Sequence, residues 1–169
     1  MVERIVVIRN DQLDLNSVSY YDAVVLSPGP GLPKDAGLLM ELIERYADEM
    51  PILGVCLGLQ AIGEHFGAKL YNMPTVLHGQ PSDCELIGEE PLFEGCSNPL
   101  TVGHYHSWVV DESGLPSCLK VTARHSDGYI MALRHISLPI SAVQFHPESI
   151  LTPEGKKILA NWVKSLCKS

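Results

Sequence analysis

A chain of 169 residues is the size of one ordinary domain and is long enough to bury a core without disulfide or metal staples. Its residues are 46% hydrophobic and 19% charged, with 12 Lys+Arg against 20 Asp+Glu and a formal charge of -8. That globular, acidic balance argues against nucleic acid or an anionic membrane as the main partner, because both reward clustered cations. The longest mostly apolar stretch, Pro51 to Gly63, is interrupted by Gly54, Gly58 and Gln60 and is too short to span a bilayer. The start carries Glu3, Arg4 and Arg9 where a secretory signal would need an apolar run, so the expected location is cytoplasmic. Five cysteines without a C-x-x-C pair fit neither a disulfide framework nor a zinc ribbon.

In chain order, Arg4–Arg9, Ala23–Ser27 and Ile52–Val55 are short apolar runs with turn or polar residues at their ends, the pattern of buried parallel strands. Between the second and third, Leu38, Leu39, Leu42, Ile43, Tyr46 and Ala47 recur at helical spacing, with Glu41, Glu44, Arg45 and Asp48 on the opposite face. This is a strand-helix-strand unit with a right-handed crossover. A second helix is expected from Leu57 to Phe66, stopped by Gly67. Further strands are expected near Thr75–His78, Leu100–Val110, Lys120–Arg124, Tyr129–Leu133 and Ile140–Phe145, mostly as antiparallel additions to the sheet. A closing helix follows Thr152-Pro-Glu154, with Thr152 as its N-cap and Ile158, Leu159, Trp162, Val163 and Leu166 on one face. With no repeat or dividing linker, residues 1–169 read as a single α/β domain.

The segment Gly54-Val-Cys-Leu-Gly-Leu-Gln60 runs a buried strand into Cys56 and then directly into a helix. A thiol on such an elbow projects above the strand end, sits at a helix N-terminus that favours thiolate, and has a free N–H on the next residue to meet an oxyanion. On the residues alone, Cys56 reads either as that nucleophile or as a small apolar core residue. A base and an orienter come from Gln144-Phe-His-Pro-Glu148, where His146 and Glu148 are two residues apart and Pro147 stiffens the link. The bland alternative is a surface His-Pro turn. Ser27-Pro-Gly-Pro-Gly31 is a rigid loop at a strand's C-terminal end, able to present backbone donors or serving merely as a turn. It lacks the spacing of a phosphate loop.

Taken in order, PGPG, then G-x-C-x-G-x-Q, then F-H-P-E, the chain resembles the class I glutamine amidotransferases along nearly its whole length. Asn72–Gly79 and Gly103-His-Tyr-His-Ser-Trp108 are most similar to the glutaminase component of anthranilate or aminodeoxychorismate synthase. The resemblance implies a three-layer, flavodoxin-like α/β fold, a mixed sheet with helices on both faces. It implies glutamine as substrate and a Cys56, His146, Glu148 triad. Cys56 would form a γ-glutamyl thioester, His146 would move the protons and Glu148 would orient it. It further implies an oxyanion hole from the N–H groups of Gly29 and Leu57, and a substrate site from Gly29, Pro30, Gly31, Gln60, Ser107 and Trp108. The ammonia would pass to a component I-like synthase subunit that aminates chorismate, and no metal or organic cofactor is implied.

The family's usual opening strand and long helix have no counterpart here, so the chain reads as N-terminally short and as starting at the family's second strand. The expectation is that Arg4–Arg9 moves inward and pairs directly with Ala23–Ser27, since an open gap would leave backbone groups unpaired. His78-Gly-Gln80 replaces the common H-G-K, and His104-Tyr-His-Ser107 replaces R-Y-H-S, each losing a fixed cation. Competing readings are a non-catalytic, regulatory or relic member of the family, a glutaminase serving another synthase, an autonomous γ-glutamyl hydrolase, and a metal site using His104, His106, His146 and Glu148. His65, His125 and His135 read as ordinary solvated or helix-end residues, and Trp162 as core.

Overall fold

The computed structural model describes residues 2–167, in which seven strands form one sheet in the order β1-β2-β7-β6-β5-β3-β4. The strands are β1 (Val24–Leu26), β2 (Ile52–Val55), β3 (Leu70–Leu86), β4 (Leu100–Val110), β5 (Leu119–His125), β6 (Ile130–His135) and β7 (Ile140–Val143). β1, β2 and β7 run parallel, with Leu26 opposite Gly54 and Gly54 opposite Ala142. All the remaining pairs are antiparallel, as expected for the second half. The strand expected at Thr75–His78 is the middle of a much longer β3, which follows β4 through two irregularities, between Asn72 and Leu77 and between His78 and Gln80.

Side-chain alternation along the strands divides the core into two layers. On one side, Ile52, Ile140 and Ala142 pack with α1 (Leu39–Tyr46) and α2 (Leu57–His65) through Leu42, Ile43, Tyr46, Leu59 and Ile62. On the other, Leu53, Val55 and Val143 pack with Phe93, Phe145 and α3 (Gly155–Leu166) through Ile158 and Trp162. This is the expected three-layer arrangement with helices on both faces, and Trp162 is core. None of the described helices is long and apolar enough to cross a membrane.

Two expectations are corrected. Arg4–Arg9 forms no strand: β1 pairs only with β2, and Ile5 and Val7 are 79% and 90% exposed. At a sheet edge water satisfies unpaired backbone groups, so pairing there gains little. Ile5–Ile8 is also apolar toward both faces, and an edge position would cover neither fully. The segment turns instead through an Arg9–Asp11 ion pair, and Asn10 lies against Gly37 ahead of α1. The second correction is Thr152, which does not cap α3. Its hydroxyl donates to the His146 carbonyl at 2.7 Å and accepts from the Gly103 N–H at 3.0 Å, while Glu154 holds the cap position, its carboxylate paired with Lys157 of the helix and making no capping bond to the helix backbone.

The close approach that sets the architecture is α2 on β1. A Cβ at Gly58 would lie 2.4 Å from the Leu26 carbonyl oxygen, backbone that cannot move aside without separating helix from sheet. Gly58→Ala is therefore expected to destabilise the fold by about 1–3 kcal/mol, read as a lower thermal midpoint with unchanged far-ultraviolet dichroism at low temperature.

Candidate active site

β2 ends at Val55 and α2 begins at Leu57, leaving Cys56 alone to make the turn. Its φ of 53° and ψ of -100° make it the one non-glycine residue with positive φ among the described residues. Backbone there costs about 1–3 kcal/mol and persists only when its surroundings hold it. The Cys56 N–H donates to the Val143 carbonyl at 2.8 Å, and the Cys56 carbonyl accepts from the Gln60 N–H at 3.2 Å, opening α2. The elbow expected from the residue spacing is therefore present.

The elbow opens on a cavity of about 310 Å³ lined by Cys56, Gly29, Pro30, Gly31, Gln60, Ser107 and Trp108, with Val76, His78, Tyr105 and His106. All six residues expected to hold substrate thus meet the expected nucleophile in one cavity. Gly29 sits so close to Leu57 that a Cβ on it would be 2.9 Å from the Leu57 side chain, so the two residues expected to supply the oxyanion donors are neighbours. Val76, His78, Tyr105 and His106 were not among the expected substrate residues, because the irregular pairing of β3 with β4 that brings the two strands together here is not a periodic signal.

His146 and Glu148 lie where β7 gives way to a turn, and His146 Nδ1 is 2.6 Å from Glu148 Oε1. In the neutral ring, Nδ1–H faces the carboxylate and Nε2 carries the lone pair, the arrangement a general base requires. His146 Nε2 is buried with no hydrogen-bond partner among the described residues, while Glu148 is exposed. The turn is braced from behind by Thr152, by the His146 N–H donating to the Gly103 carbonyl at 3.1 Å, and by the Tyr105 ring 5.0 Å from the His146 ring.

The helix N-terminus was expected to favour thiolate, but burial outweighs it. The Cys56 thiol, 5% exposed, is pushed up to about 11 chiefly by burial, with nearby Glu148 acting in the same direction. The Leu57 N–H and the Gln144 side chain act against that rise. Gln144 Nε2 donates to Cys56 Sγ at 3.6 Å, a contact the sequence reading missed although Gln144 belongs to the same motif as His146. The only sequence signal was a polar residue inside an otherwise apolar strand end.

His104 stands where the family pattern has an arginine, and it is fully buried. Its Nε2 is 2.6 Å from the Ser82 hydroxyl and its Nδ1 is 3.1 Å from His106 Nε2, while His106 Nδ1 is 3.2 Å from the Trp108 carbonyl. Burial pushes His104 down to about 3 and His106 down to about 4, so neither replaces the missing cation at neutral pH. Their ring nitrogens are occupied within this chain, which leaves none for a metal, and the described residues contain no group of three or more His, Cys, Asp or Glu able to hold one. His125 and His135 are also buried, with Nδ1 accepting from the N–H of Asp127 and of Leu138, so the solvated reading of these two is corrected.

The chain matches the family described as Glutamine amidotransferase class-I over residues 3–166. It belongs to that family, whose chemistry is glutamine hydrolysis. It is 44% identical over 168 residues to the aminodeoxychorismate/anthranilate synthase component 2 of Bacillus subtilis, covering 98% of this chain and 86% of that one. It is 46% identical over 165 residues to the anthranilate synthase component 2 of Pseudomonas aeruginosa, covering 94% and 82%. Among solved structures it is similar to a Thermoplasma acidophilum protein described as a subunit of GMP synthase, with a TM-score of 0.83, 28% identity, and coverage of 94% and 79%.

Because both rings have depressed values, their contribution to stability is present above the ordinary 6.5 and is lost as pH falls toward about 4 and then about 3. The unfolded chain takes up these protons first, so the sign is acid destabilisation. Chemical denaturation across pH 7 to 4 should show this loss, and His104→Gln should remove about half of the part carried by the pair.

Proposed function

We propose that this chain is the glutaminase component of a chorismate-aminating synthase, with Cys56, His146 and Glu148 as its triad. The observation that supports this most is the single cavity in which Cys56 meets the Gly29–Gly31 loop, Gln60 and Ser107–Trp108. The relatives of similar length named as synthase component 2 support the choice of client.

In this reading the glutamine side-chain amide lies in the cavity with its carbonyl oxygen toward the N–H groups of Gly29 and Leu57. His146 Nε2 takes the Cys56 proton as Sγ forms a bond to the amide carbon. The tetrahedral adduct then breaks its carbon–nitrogen bond while His146 returns the proton to nitrogen, so ammonia leaves and a thioester remains. Water attacks the thioester with its proton passing to His146, and glutamate departs as that proton restores the thiol. Glu148 keeps Nδ1–H in place throughout, and Gly31, Gln60, Ser107 and Trp108 hold the amino-acid end of the substrate. Ammonia is the product handed to the synthase subunit.

Glutamate release by the purified chain, with and without a chorismate-using synthase subunit from the same source, tests this. Release should depend on the partner and fall by at least about a thousandfold in Cys56→Ser. Glu148→Gln should lower it by about a hundredfold with the glutamine KM little changed. A folded wild-type chain that releases no glutamate in either condition would remove the proposal in favour of a binding role.

A further inference from the structure

We propose that Gln144 is a catalytic residue, whose side-chain N–H holds the Cys56 sulfur as the thiolate forms and re-forms. The proposal rests on Cys56 being the nucleophile and adds a donor to it.

The cavity creates the need. No Lys or Arg is among the described residues that line it, and the titratable groups facing it besides Cys56 are His78 from β3 and Tyr105 and His106 from β4. Beyond β7 come His146, whose role is to receive the proton, and Glu148, whose charge opposes a second anion. The Gly29–Gly31 loop brings no ionisable side chain. Besides the imidazolium that His146 becomes, a buried thiolate in a cavity without a fixed cation is held by neutral donors, and a hydrogen bond to an ionised acceptor is about twice as strong as one to a neutral acceptor. Leu57 supplies one such donor and Gln144 the other.

The orientation of the Gln144 amide follows from its neighbours. The Trp108 carbonyl can only accept, so Gln60, 3.0 Å away, must turn its NH2 toward it. The same nitrogen is 3.3 Å from Gln144, which must therefore offer its oxygen to Gln60 and its NH2 to sulfur. Reversing Gln144 would set its oxygen against the sulfur and its NH2 against that of Gln60. On the other side of the Trp108 carbonyl, His106 must donate from Nδ1, which leaves its Nε2 to accept from His104 Nδ1–H and His104 Nε2 to accept from the Ser82 hydroxyl. Polarity is thus set along a hydrogen-bonded chain from Ser82 to Cys56. The Gln144 backbone is held as well, its N–H donating to the Met131 carbonyl at 2.8 Å.

The donor moves no proton. When the Cys56 proton passes to His146 Nε2, charge appears on sulfur and the Gln144 bond strengthens. As sulfur bonds to carbon, that charge moves to the carbonyl oxygen and the bond relaxes, and it strengthens again when the thioester breaks.

The test is an ultraviolet titration of thiolate, taking each chain minus its Cys56→Ser counterpart, for wild type and Gln144→Met, which keeps length without a donor. The Cys56 thiolate fraction at about pH 10 should fall roughly tenfold in Gln144→Met, with the dichroism spectrum unchanged. A folded Gln144→Met whose titration lies within about twofold of wild type would overturn the proposal. Should that variant not fold, Gln144→Asn carries the same expectation and the same refutation, since it keeps the amide but draws it back from sulfur. Neither glutamine nor a synthase is present, so an unmoved titration refutes the donor alone. Absent glutamate release beside a shifted titration refutes the proposed function alone.

Discussion

The constraint on which this site depends is the reversal from β2 into α2 at a single residue. A strand in the middle of a parallel sheet has its backbone groups occupied on both sides, and the helix must start at once to pack on the same sheet. Cys56 absorbs the difference with a positive φ. The cost is offset by the bond to Val143, by the flanking strands β1 and β7, and by the close seat of Gly58 on Leu26. Each of these also carries a component of the site. β1 delivers the Pro-Gly-Pro-Gly loop, β7 delivers Gln144 to Glu148, and α2 delivers Leu57 and Gln60. The strain and the convergence of these groups have one cause.

Burial then dictates the electrostatics. The same packing that holds the elbow removes water from sulfur and lifts the thiol to about 11, more than the helix end and its N–H groups offset. No Lys or Arg among the described residues lines the cavity, and His104, in place of an arginine, is held uncharged by burial. The pocket works with dipoles where a fixed charge would be expected. Amide N–H groups, with Gln60 donating to Gln144 and Gln144 to sulfur, are the neutral means that favour an anion there.

The segment after β7 shows how tightly the two halves of the chain interlock. His146 is braced through its backbone by Gly103 and Thr152 and through its ring by Tyr105 and Glu148. Thr152 reads in the sequence as a helix cap, yet its hydroxyl is drawn to β4 and to the His146 carbonyl. A long-range partner displaced the local one, because at that place the one hydroxyl satisfies both the His146 carbonyl and the Gly103 N–H.

By itself the sequence determined what depends on near neighbours. The elbow at Cys56, the His146–Glu148 pairing, the glycine-proline loop, the helices and the parallel pair β1 and β2 were legible, because turn chemistry and apolar periodicity act over a few residues. The motif order also determined the family. Tertiary structure alone decided the rest. It left Ile5–Ile8 outside the sheet, extended β3 through Pro74 and Pro81, and buried His104, His125 and His135. It also aimed Gln144 at sulfur through Gln60 and Trp108, residues 84 and 48 positions apart from their partners in the chain. Burial and hydrogen-bond satisfaction are properties of a packed neighbourhood, and a linear pattern carries no record of which distant groups will share it.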